Sequence, residues 1–229
     1  MLKIKYFNKK SVENIIYFVF LLIIIVNAFI NNDYIPAVIS AICGITYTAL
    51  AGRGNPICYI FGLVGSFFYG YISYKNSLWG QLMLYMLYYV PMQISGFINW
   101  NKNLKTGKYE IVKTSLKKNE IVKIFLFSTF FIFVFYYFAK HFGDTCPVLD
   151  SITTILSITG MYLTVRRAIE QWILWMIVNG LSFILWFCII LSGEKVLSTV
   201  LMWGIYFFLA VYFYIDWKKE LVLKSKNEL

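Results

Sequence analysis

Residues 166–179, RRAIEQWILWMIVN, set a charged turn directly against the start of a strongly apolar helix. At helical spacing, Trp172, Trp175 and Asn179 stand at positions i, i+3 and i+7, so two indoles and one carboxamide fall along a single stripe. Flat aromatic faces beside one amide suit a flat polar ring that is either uncharged or cationic. The stretch therefore predicts a membrane-spanning helix with a binding site on one of its faces.

The composition of the whole chain is that of an integral membrane protein. Of its 229 residues, 60% are hydrophobic and only 14% are charged, whereas about one quarter of the residues in soluble domains are charged. Eight apolar runs approach the ~20 residues that cross a bilayer. We therefore predict eight transmembrane helices, at residues 15–30, 35–50, 56–74, 78–100, 121–138, 149–165, 172–191 and 196–217.

The basic residues indicate how these helices are oriented. If the segments before helices one, three, five and seven and after helix eight share one side, all but three of the 21 lysines and arginines lie there. The exceptions are Lys75, Lys140 and Lys195. Because cytoplasmic loops are enriched in lysine and arginine, both termini are expected in the cytoplasm. The net charge of +10 then needs no nucleic acid partner.

One long polar segment between helices, residues 101–120, separates two similar parts of the chain. Helices two to four precede it and helices six to eight follow it, so the two parts have the same orientation in the membrane. Arg53 precedes Gly65 by the same interval that separates Arg167 from Asn179, and both parts end on a tryptophan. A duplicated three-helix unit is therefore expected.

The expected fold is all-α, with two parallel three-helix bundles joined by a linking helix and one additional N-terminal helix. The first helix is strongly apolar and is expected at the periphery, outside the repeat. The fifth helix is expected to join the bundles without lining the site. The segments are a basic start with the extra helix (1–34), a first bundle (35–100), a basic loop with the linking helix (101–140), a second bundle (141–217) and a basic cytoplasmic tail (218–229).

Helix four extends the predicted site. Tyr85, Tyr89 and Gln93 share one of its faces at i, i+4 and i+8, and Pro91 is expected to bend the helix. A buried amide needs a partner, which favours Gln93 as a ligand contact. Tyrosines near a membrane interface also serve as anchors, so both interpretations of Tyr85 and Tyr89 stay open.

The other candidates have similar alternatives. Trp203 and Tyr206 on helix eight suit either an aromatic box or ordinary core packing. Asp150, at the start of helix six, suits either a helix cap or a contact with a ribose hydroxyl or a cationic ring. An interhelical hydrogen bond would also satisfy Asn179, and Trp172 can equally be an interface anchor.

Catalytic sites are not indicated. The one histidine, His141, lies in a loop, so no histidine pair for zinc exists, and no glycine-rich phosphate loop or nucleophile elbow occurs in the sequence. No acidic residue lies deep within a predicted span, which argues against a proton-coupled pump. We therefore expect a non-enzymatic membrane protein that uses neither a metal nor a cofactor.

Two segments resemble the PnuC-type nicotinamide riboside transporter family. One is PVLDS at 147–151 followed by EQWILWMIVN at 170–179, and the other is YVPMQISGFINW at 89–100. The resemblance covers residues 35–217. Gly65 stands where many members of the family carry an asparagine.

The resemblance implies a fold similar to that of the SWEET sugar transporters, assembly into homotrimers and location in the inner (plasma) membrane. It also implies facilitated uptake of nicotinamide riboside by alternating access, with trapping by a cytosolic kinase. By motif position it implies that Trp172, Trp175, Asn179 and Gln93 contact the nucleoside.

Two alternatives stay open at this stage. Relatives of this family carry thiamine, riboflavin or deoxynucleosides on the same scaffold, so the substrate can be another vitamin or nucleoside. The second alternative is a non-transporting membrane assembly subunit, in which the aromatic stripes serve only as interfaces.

Overall fold

The computed structural model describes residues 9–31, 34–75, 82–143, 147–191 and 197–227. Within these ranges the chain forms eight α-helices, which confirms the predicted all-helical fold. They are α1 (Lys9–Asn31), α2 (Ile35–Gly52), α3 (Cys58–Lys75), α4 (Val90–Lys102, continuing from a π-helical segment at Leu84–Tyr89), α5 (Lys118–His141), α6 (Pro147–Val165), α7 (Gln171–Leu191) and α8 (Leu197–Asn227). The start of the chain at 1–8 and the predicted start of helix four at residue 78 lie outside the described residues.

Five helices in the described part of the chain are long and apolar enough to cross a membrane: α1, α2, α5, α6 and α8. The apolar portions of α3 and α7 are shorter, Cys58–Ile72 and Gln171–Ile184. Many large apolar side chains of α5 are exposed, as suits a helix that faces lipid rather than water. The chain is a multi-pass membrane protein.

The bend in helix four differs from the expected proline kink. The segment Leu84–Tyr89 is π-helical, and the Val90 N–H donates to the Tyr85 carbonyl. Pro91 has no N–H with which to continue the regular ladder. The helix therefore accommodates one extra residue in the turn before the proline, as π-helical turns do.

The two groups of three helices, α2–α4 (the first unit) and α6–α8 (the second unit), exchange packing partners. α2 packs against α8, and α4 packs against α6. The first helix of each unit thus meets the third helix of the other. A two-fold axis between parallel units produces this reciprocal pattern.

The turns that follow α2 and α6 have the same conformation. Gly54 and Arg167 both have positive φ, 70° and 61°, and the residue after each donates an i→i−5 backbone hydrogen bond into the preceding helix. Gly54 therefore corresponds to Arg167, and the match of Arg53 with Arg167 suggested by the sequence is one residue out. Glycine adopts this backbone without strain, which an arginine does not.

α1 is related to the first unit as α5 is to the second. Each packs against the first helix of its unit. An acidic residue of α1 or α5 forms an ion pair with the arginine that follows that first helix, and a hydroxyl of α1 or α5 forms a hydrogen bond with a threonine of that first helix. The ion pairs are Glu13–Arg53 at 3.1 Å and Glu120–Arg166 at 2.7 Å, and the hydroxyl pairs are Tyr17–Thr46 at 2.9 Å and Ser128–Thr159 at 3.1 Å. α1 thus packs on the first unit much as α5 packs on the second, and both lie outside the three-helix units.

Residues 103–117, here called the strap, connect the two turns. The Ile111 N–H donates to the Gly54 carbonyl at 2.9 Å, and the Thr114 N–H donates to the Arg167 carbonyl at 3.0 Å. The strap therefore bonds to corresponding positions of the two units. We call this end of the bundle, with the strap and both turns, the basic face.

Charge pairs secure the strap to α8. The Lys113 side chain is only 3% exposed, and its Nζ lies 2.6 Å from the Glu220 carboxylate and 5.1 Å from the centre of a Trp217 ring. Lys105 bonds to the same carboxylate and to Glu110. Partial burial lowers the pKa of Lys105, but its bonds to Glu110 and Glu220 outweigh burial and hold that pKa above its ordinary value.

These pairs explain why α8 is longer than predicted. The helix continues to Asn227, past the predicted end at residue 217. Its polar extension carries Glu220, which the lysines of the strap hold in place. The strap, which the sequence marks only as polar and basic, is thus an ordered part of the fold.

Candidate functional site

Tyrosines from three helices meet where the two units face each other. Tyr69 of α3 stacks on Tyr85 of α4 with ring centres 4.3 Å apart, and Tyr85 meets the Tyr89 ring at 4.9 Å. Tyr206 of α8 lies near Tyr85. Its hydroxyl rests on Gly44 of α2, where a Cβ would come within 2.0 Å of Oη. The structure brings together Tyr85, Tyr89 and Tyr206, which were predicted on two separate helices, and adds Tyr69 to them.

Two of these tyrosines occupy corresponding places in the two units. Tyr89 interacts with Ser157 of α6, and Tyr206 lies on Gly44 of α2. In the register of the turns, Gly44 corresponds to Ser157. Each unit therefore sends one tyrosine across the axis to the first helix of the other unit.

Gln93 lies one turn closer to the basic face than Tyr89 and is 6% exposed. Its Nε2 donates to the Ser66 Oγ of α3 at 2.9 Å, while its Oε1 is buried and has no hydrogen-bond partner among the described residues. Gly62 leaves room for this oxygen, because a Cβ there would lie 3.0 Å from it. A buried acceptor without a donor costs about 1–3 kcal/mol, which makes this oxygen a candidate to accept a hydrogen bond from a ligand.

The second unit contributes an indole and another amide. Trp175 packs against Gly160 of α6, where a Cβ would lie 3.3 Å from Cε2, and its Nε1 donates to the Thr164 Oγ1 at 3.1 Å. Asn179, one turn farther from the basic face, is 5% exposed. In the register of the turns it corresponds to Ser66, so both units place a polar side chain at this level.

Trp172 has different surroundings from Trp175. It is 2% exposed, and its ring centre lies 5.5 Å from that of Phe213 and 5.6 Å from that of Trp217. It therefore belongs to the packed layer at the basic face. The two indoles share a helical stripe, as the spacing predicts, but they pack in layers at different depths.

Two further indoles close the basic face. The Trp100 Nε1 donates to the Thr164 carbonyl at 2.9 Å, and the Trp217 Nε1 donates to the Gly52 carbonyl at 2.6 Å. Each tryptophan lies near the end of the third helix of its unit and bonds to the last turn of the first helix of the other. The units are thus joined by reciprocal hydrogen bonds at this end.

Trp203 and Asp150 lie toward the opposite end of the bundle. The Trp203 ring is perpendicular to that of Tyr206 at 5.9 Å, and its Nε1 is buried with no hydrogen-bond partner among the described residues. Asp150 lies in the first turn of α6, two turns or about 10 Å along the helix from Ser157. Trp203 is therefore next to the tyrosine group. Asp150 lies at the N-terminus of α6, where the helix dipole stabilises a carboxylate.

Sequence reasoning missed three contributors on α3. Gly62, Ser66 and Tyr69 share one helical face at i, i+4 and i+7. The many aromatic residues of this helix conceal Tyr69. Ser66 becomes visible from sequence only in the corrected register, in which it corresponds to Asn179.

The assembled groups determine what the site can bind. Among the described residues, no cluster of three His, Cys, Asp or Glu side chains is suited to hold a metal ion. The site offers instead an indole, tyrosine rings and hydroxyls, and two buried amides. Such groups can bind a flat ring that carries hydrogen-bonding substituents.

Residues 34–219 match the family model described as nicotinamide mononucleotide transporter. The nicotinamide riboside transporter PnuC of Neisseria mucosa is 34% identical over 194 residues, which cover 82% of this chain and 74% of that relative. The PnuC of Haemophilus influenzae is 27% identical over 185 residues, which cover 80% and 79% of the two chains.

A solved structure agrees with these sequence matches. The crystal structure of the vitamin B3 transporter PnuC has a TM-score of 0.79 to this chain and 33% sequence identity, over 90% of each chain. The family consists of transporters and not of enzymes. The chain belongs to the PnuC family of membrane transporters, the family that its motifs resemble.

Proposed function

We propose that the protein mediates facilitated uptake of nicotinamide riboside through the space between the two units. One observation carries the proposal: Trp175 of the second unit corresponds to Gly62 of the first unit, against which the Gln93 oxygen lies without a hydrogen-bond partner among the described residues. The Neisseria and Haemophilus relatives, which are nicotinamide riboside transporters by name, support the same substrate.

The chemistry of nicotinamide riboside suits these groups. Its pyridinium ring is cationic, and a desolvated cation over an indole face gains about 2 kcal/mol, or roughly thirtyfold in affinity. Trp175 supplies that face, and the Gln93 oxygen accepts an N–H of the ligand's carboxamide. Asn179 and the tyrosine hydroxyls are left for the ribose.

We assign the basic face to the cytoplasm and the protein to the inner (plasma) membrane, with both termini cytoplasmic. Strap lysines and the arginines of both turns lie on this face, in keeping with the enrichment of cytoplasmic loops in basic residues. Uptake then means movement toward the strap.

Transport proceeds by alternating access. The hydrogen bonds of Trp100 and Trp217 hold the basic face shut, so the two units must separate there to release the substrate. No acidic residue lies deep within a predicted span, which favours a passive carrier. In such a carrier a cytosolic kinase phosphorylates the nucleoside and prevents its return.

The family resemblance adds two structural expectations. The first is that the two parallel bundles, 35–100 and 141–217, move as units about the linking helix, as in SWEET transporters. The second is a homotrimer, for which mass photometry in detergent would give three times the mass of one chain. A monomer mass would contradict it.

Thermal unfolding of the detergent-purified protein tests the substrate. Nicotinamide riboside at one hundred times its Kd should raise the melting temperature by roughly 5–10 °C. Nicotinamide mononucleotide, thiamine, riboflavin and deoxynucleosides serve as the comparison panel. A shift with another member reassigns the substrate, and no shift with any member favours a non-transporting membrane subunit.

Uptake into proteoliposomes then tests the passive mechanism. Saturable entry of radiolabelled nicotinamide riboside should stop when the inner and outer concentrations are equal, and it should not respond to an imposed pH or sodium gradient. Accumulation above the outer concentration without an internal kinase would contradict facilitated diffusion.

A further inference from the structure

We infer that Glu220 of α8 and Lys105 of the strap form a latch that holds the basic face shut together with the two closing tryptophans. The two side chains form an ion pair across the boundary between the units. Opening of the basic face requires this pair to break. The inference rests on the proposed alternating access and names the charged residues that control it.

The first part of the strap, up to Ile111, is attached to the first unit. At its start, the Asn103 Nδ2 donates to the Asn99 carbonyl of α4 at 2.7 Å. At its end, the Ile111 N–H donates to the Gly54 carbonyl at 2.9 Å. Lys105 lies between these two attachments, so it belongs structurally to the first unit.

From Thr114 onward the strap is attached to the second unit. The Ile169 N–H donates to the Thr114 carbonyl at 2.9 Å, and the Leu116 N–H donates to the Glu170 Oε1 at 3.0 Å. Ile111 and Thr114 are three positions apart, a distance of about 10 Å in a fully extended chain. The strap is therefore a short joint between the units, and opening must move α8 away from it.

Glu220 reaches this joint from α8. It follows Trp217 by three residues, so the two side chains lie on one face of the helix. The Trp217 Nε1 donates to the Gly52 carbonyl at 2.6 Å, while the Glu220 carboxylate accepts from Lys105 and, at 2.6 Å, from Lys113. One turn of α8 thus makes two adjacent contacts that end when α8 leaves the first unit.

The cluster is arranged so that it can open without leaving a lysine unpaired. The Lys113 Nζ, on a side chain only 3% exposed, lies 3.5 Å from the Glu110 carboxylate as well as near Glu220. The Lys105 Nζ lies 2.8 Å from the same Glu110 carboxylate. An unpaired buried charge is costly, and Glu110 prevents one. Glu220, whose side chain is 34% exposed, is the group that passes into water.

The test uses Cys58, the first residue of α3. It is 0% exposed and lies in the same buried cluster as Trp100 and Trp217, so a thiol reagent reaches it when the basic face opens. The rate at which a soluble maleimide labels it in the purified full-length protein is measured by peptide mass spectrometry, well below the melting temperature. Glu220→Gln and Lys105→Gln should each label about fivefold faster than the wild type, the upper range for a partly exposed ion pair.

Two further measurements distinguish a latch from a general loss of packing. Because the two residues form one interaction, the double variant should label no faster than either single variant. Raising the salt concentration from about 0.1 M to about 1 M shortens the Debye length from about 10 Å to about 3 Å. This should speed up labelling of the wild type about twofold and leave the rate of Glu220→Gln unchanged.

Glu120→Gln is the matched control. The Glu120 side chain is also 34% exposed and bonds to Arg166 at 2.7 Å, but this pair joins α5 to the second unit and does not cross to the first. Its removal should leave both the labelling rate of Cys58 and its response to salt as in the wild type.

The possible results separate the latch from the proposed function. Wild-type labelling in Glu220→Gln and Lys105→Gln, or equal acceleration in Glu120→Gln, would overturn the latch while nicotinamide riboside binding still supported the proposed function. Should Glu220→Gln fail to fold, Lys105→Gln alone decides. A protein that shows the expected labelling rates but neither binds nor transports the riboside would overturn the proposed function and keep the latch.

Discussion

The two units share one backbone plan but carry their bulky side chains on different helices. In the first unit, Tyr47 on the first helix lies against Gly62 on the second, where a Cβ would be 2.9 Å from its ring. In the second unit, Gly160 is on the first helix and Trp175 on the second. Each large residue of one unit corresponds to a glycine in the other.

The third helices of the two units, α4 and α8, also carry side chains of different size at corresponding places. Counted back from Trp100 and Trp217 near the ends of the third helices, Gln93 in the first unit corresponds to Ala210 in the second. Exchanges that conserve volume are what a close-packed interior tolerates. The exchange gives one unit the amide and the other the indole, so a symmetric scaffold provides an asymmetric site for an asymmetric ligand.

The most severe break of this comparison is Gly62→Trp, which gives both units a tryptophan at the same place. The Cβ alone would lie 2.9 Å from the Tyr47 ring and 3.0 Å from the Gln93 oxygen, so the side chain cannot fit. We expect no monodisperse peak in size-exclusion chromatography.

Adding Tyr47→Gly and Gln93→Ala to that variant gives the first unit the pattern of the second and should restore a folded protein that does not bind nicotinamide riboside. Gly180→Ala is the control, because its Cβ would make an ordinary contact of 3.4 Å with Phe207. Wild-type behaviour of Gly62→Trp alone would show that the exchange of bulk is not a packing constraint.

The second-largest effect is expected from removing the large side chain of the second unit, Trp175. Trp175→Ala removes the aromatic face, and the Kd for nicotinamide riboside should rise about thirtyfold, as expected from a cation–π contribution of about 2 kcal/mol. Trp175→Tyr keeps an aromatic face and should lose less. Calorimetry gives both values, and an unchanged Kd in Trp175→Ala refutes the stacking role.

A smaller change keeps the Trp175 indole but removes the hydrogen bond that fixes its orientation. Thr164→Val keeps the shape but deletes the Oγ1 that receives the Trp175 Nε1–H. A neutral hydrogen bond contributes about 1 kcal/mol, so the Kd should rise about fivefold. Thr46→Val, which loses the bond to Tyr17 on α1, is the control and should bind as the wild type does.

The smallest expected effect distinguishes the two indoles of α7. Trp172 packs on Phe213 and Trp217, so Trp172→Phe should lower the melting temperature by about 3 °C and leave the Kd within about twofold of the wild type, as expected for a residue outside the site. Differential scanning fluorimetry and calorimetry report the two quantities. A tenfold loss of affinity would return Trp172 to the ligand.

The helical fold could be predicted from sequence because the apolar runs are long and the basic residues separate them. The register of the repeat could not be predicted, because Arg53 and Arg167 are the same residue type, whereas the left-handed conformation occurs at Gly54 and Arg167. The attachment of the strap to the two turns was also not predictable, because Ile111 and Thr114 make it through backbone hydrogen bonds, which leave no side-chain signature.

The candidate site was predictable only in part, for a similar reason. Periodicity identifies the face of α7 that carries Trp172 and Trp175, but it does not give the depth at which each is packed. Tyr69 and Ser66 were hidden because serine and tyrosine are ordinary residues in membrane helices. Their roles depend on Gln93 and Tyr85, which are distant in sequence and are brought near by the packing of α3 against α4.

An experimental structure with nicotinamide riboside bound tests the central claim most directly, because the claim concerns which unit binds which part of the ligand. The pyridinium ring should lie on the Trp175 face with its carboxamide nitrogen about 3 Å from the Gln93 Oε1. A ring that lies on Trp172, or a carboxamide bound by residues of the second unit alone, would contradict the account.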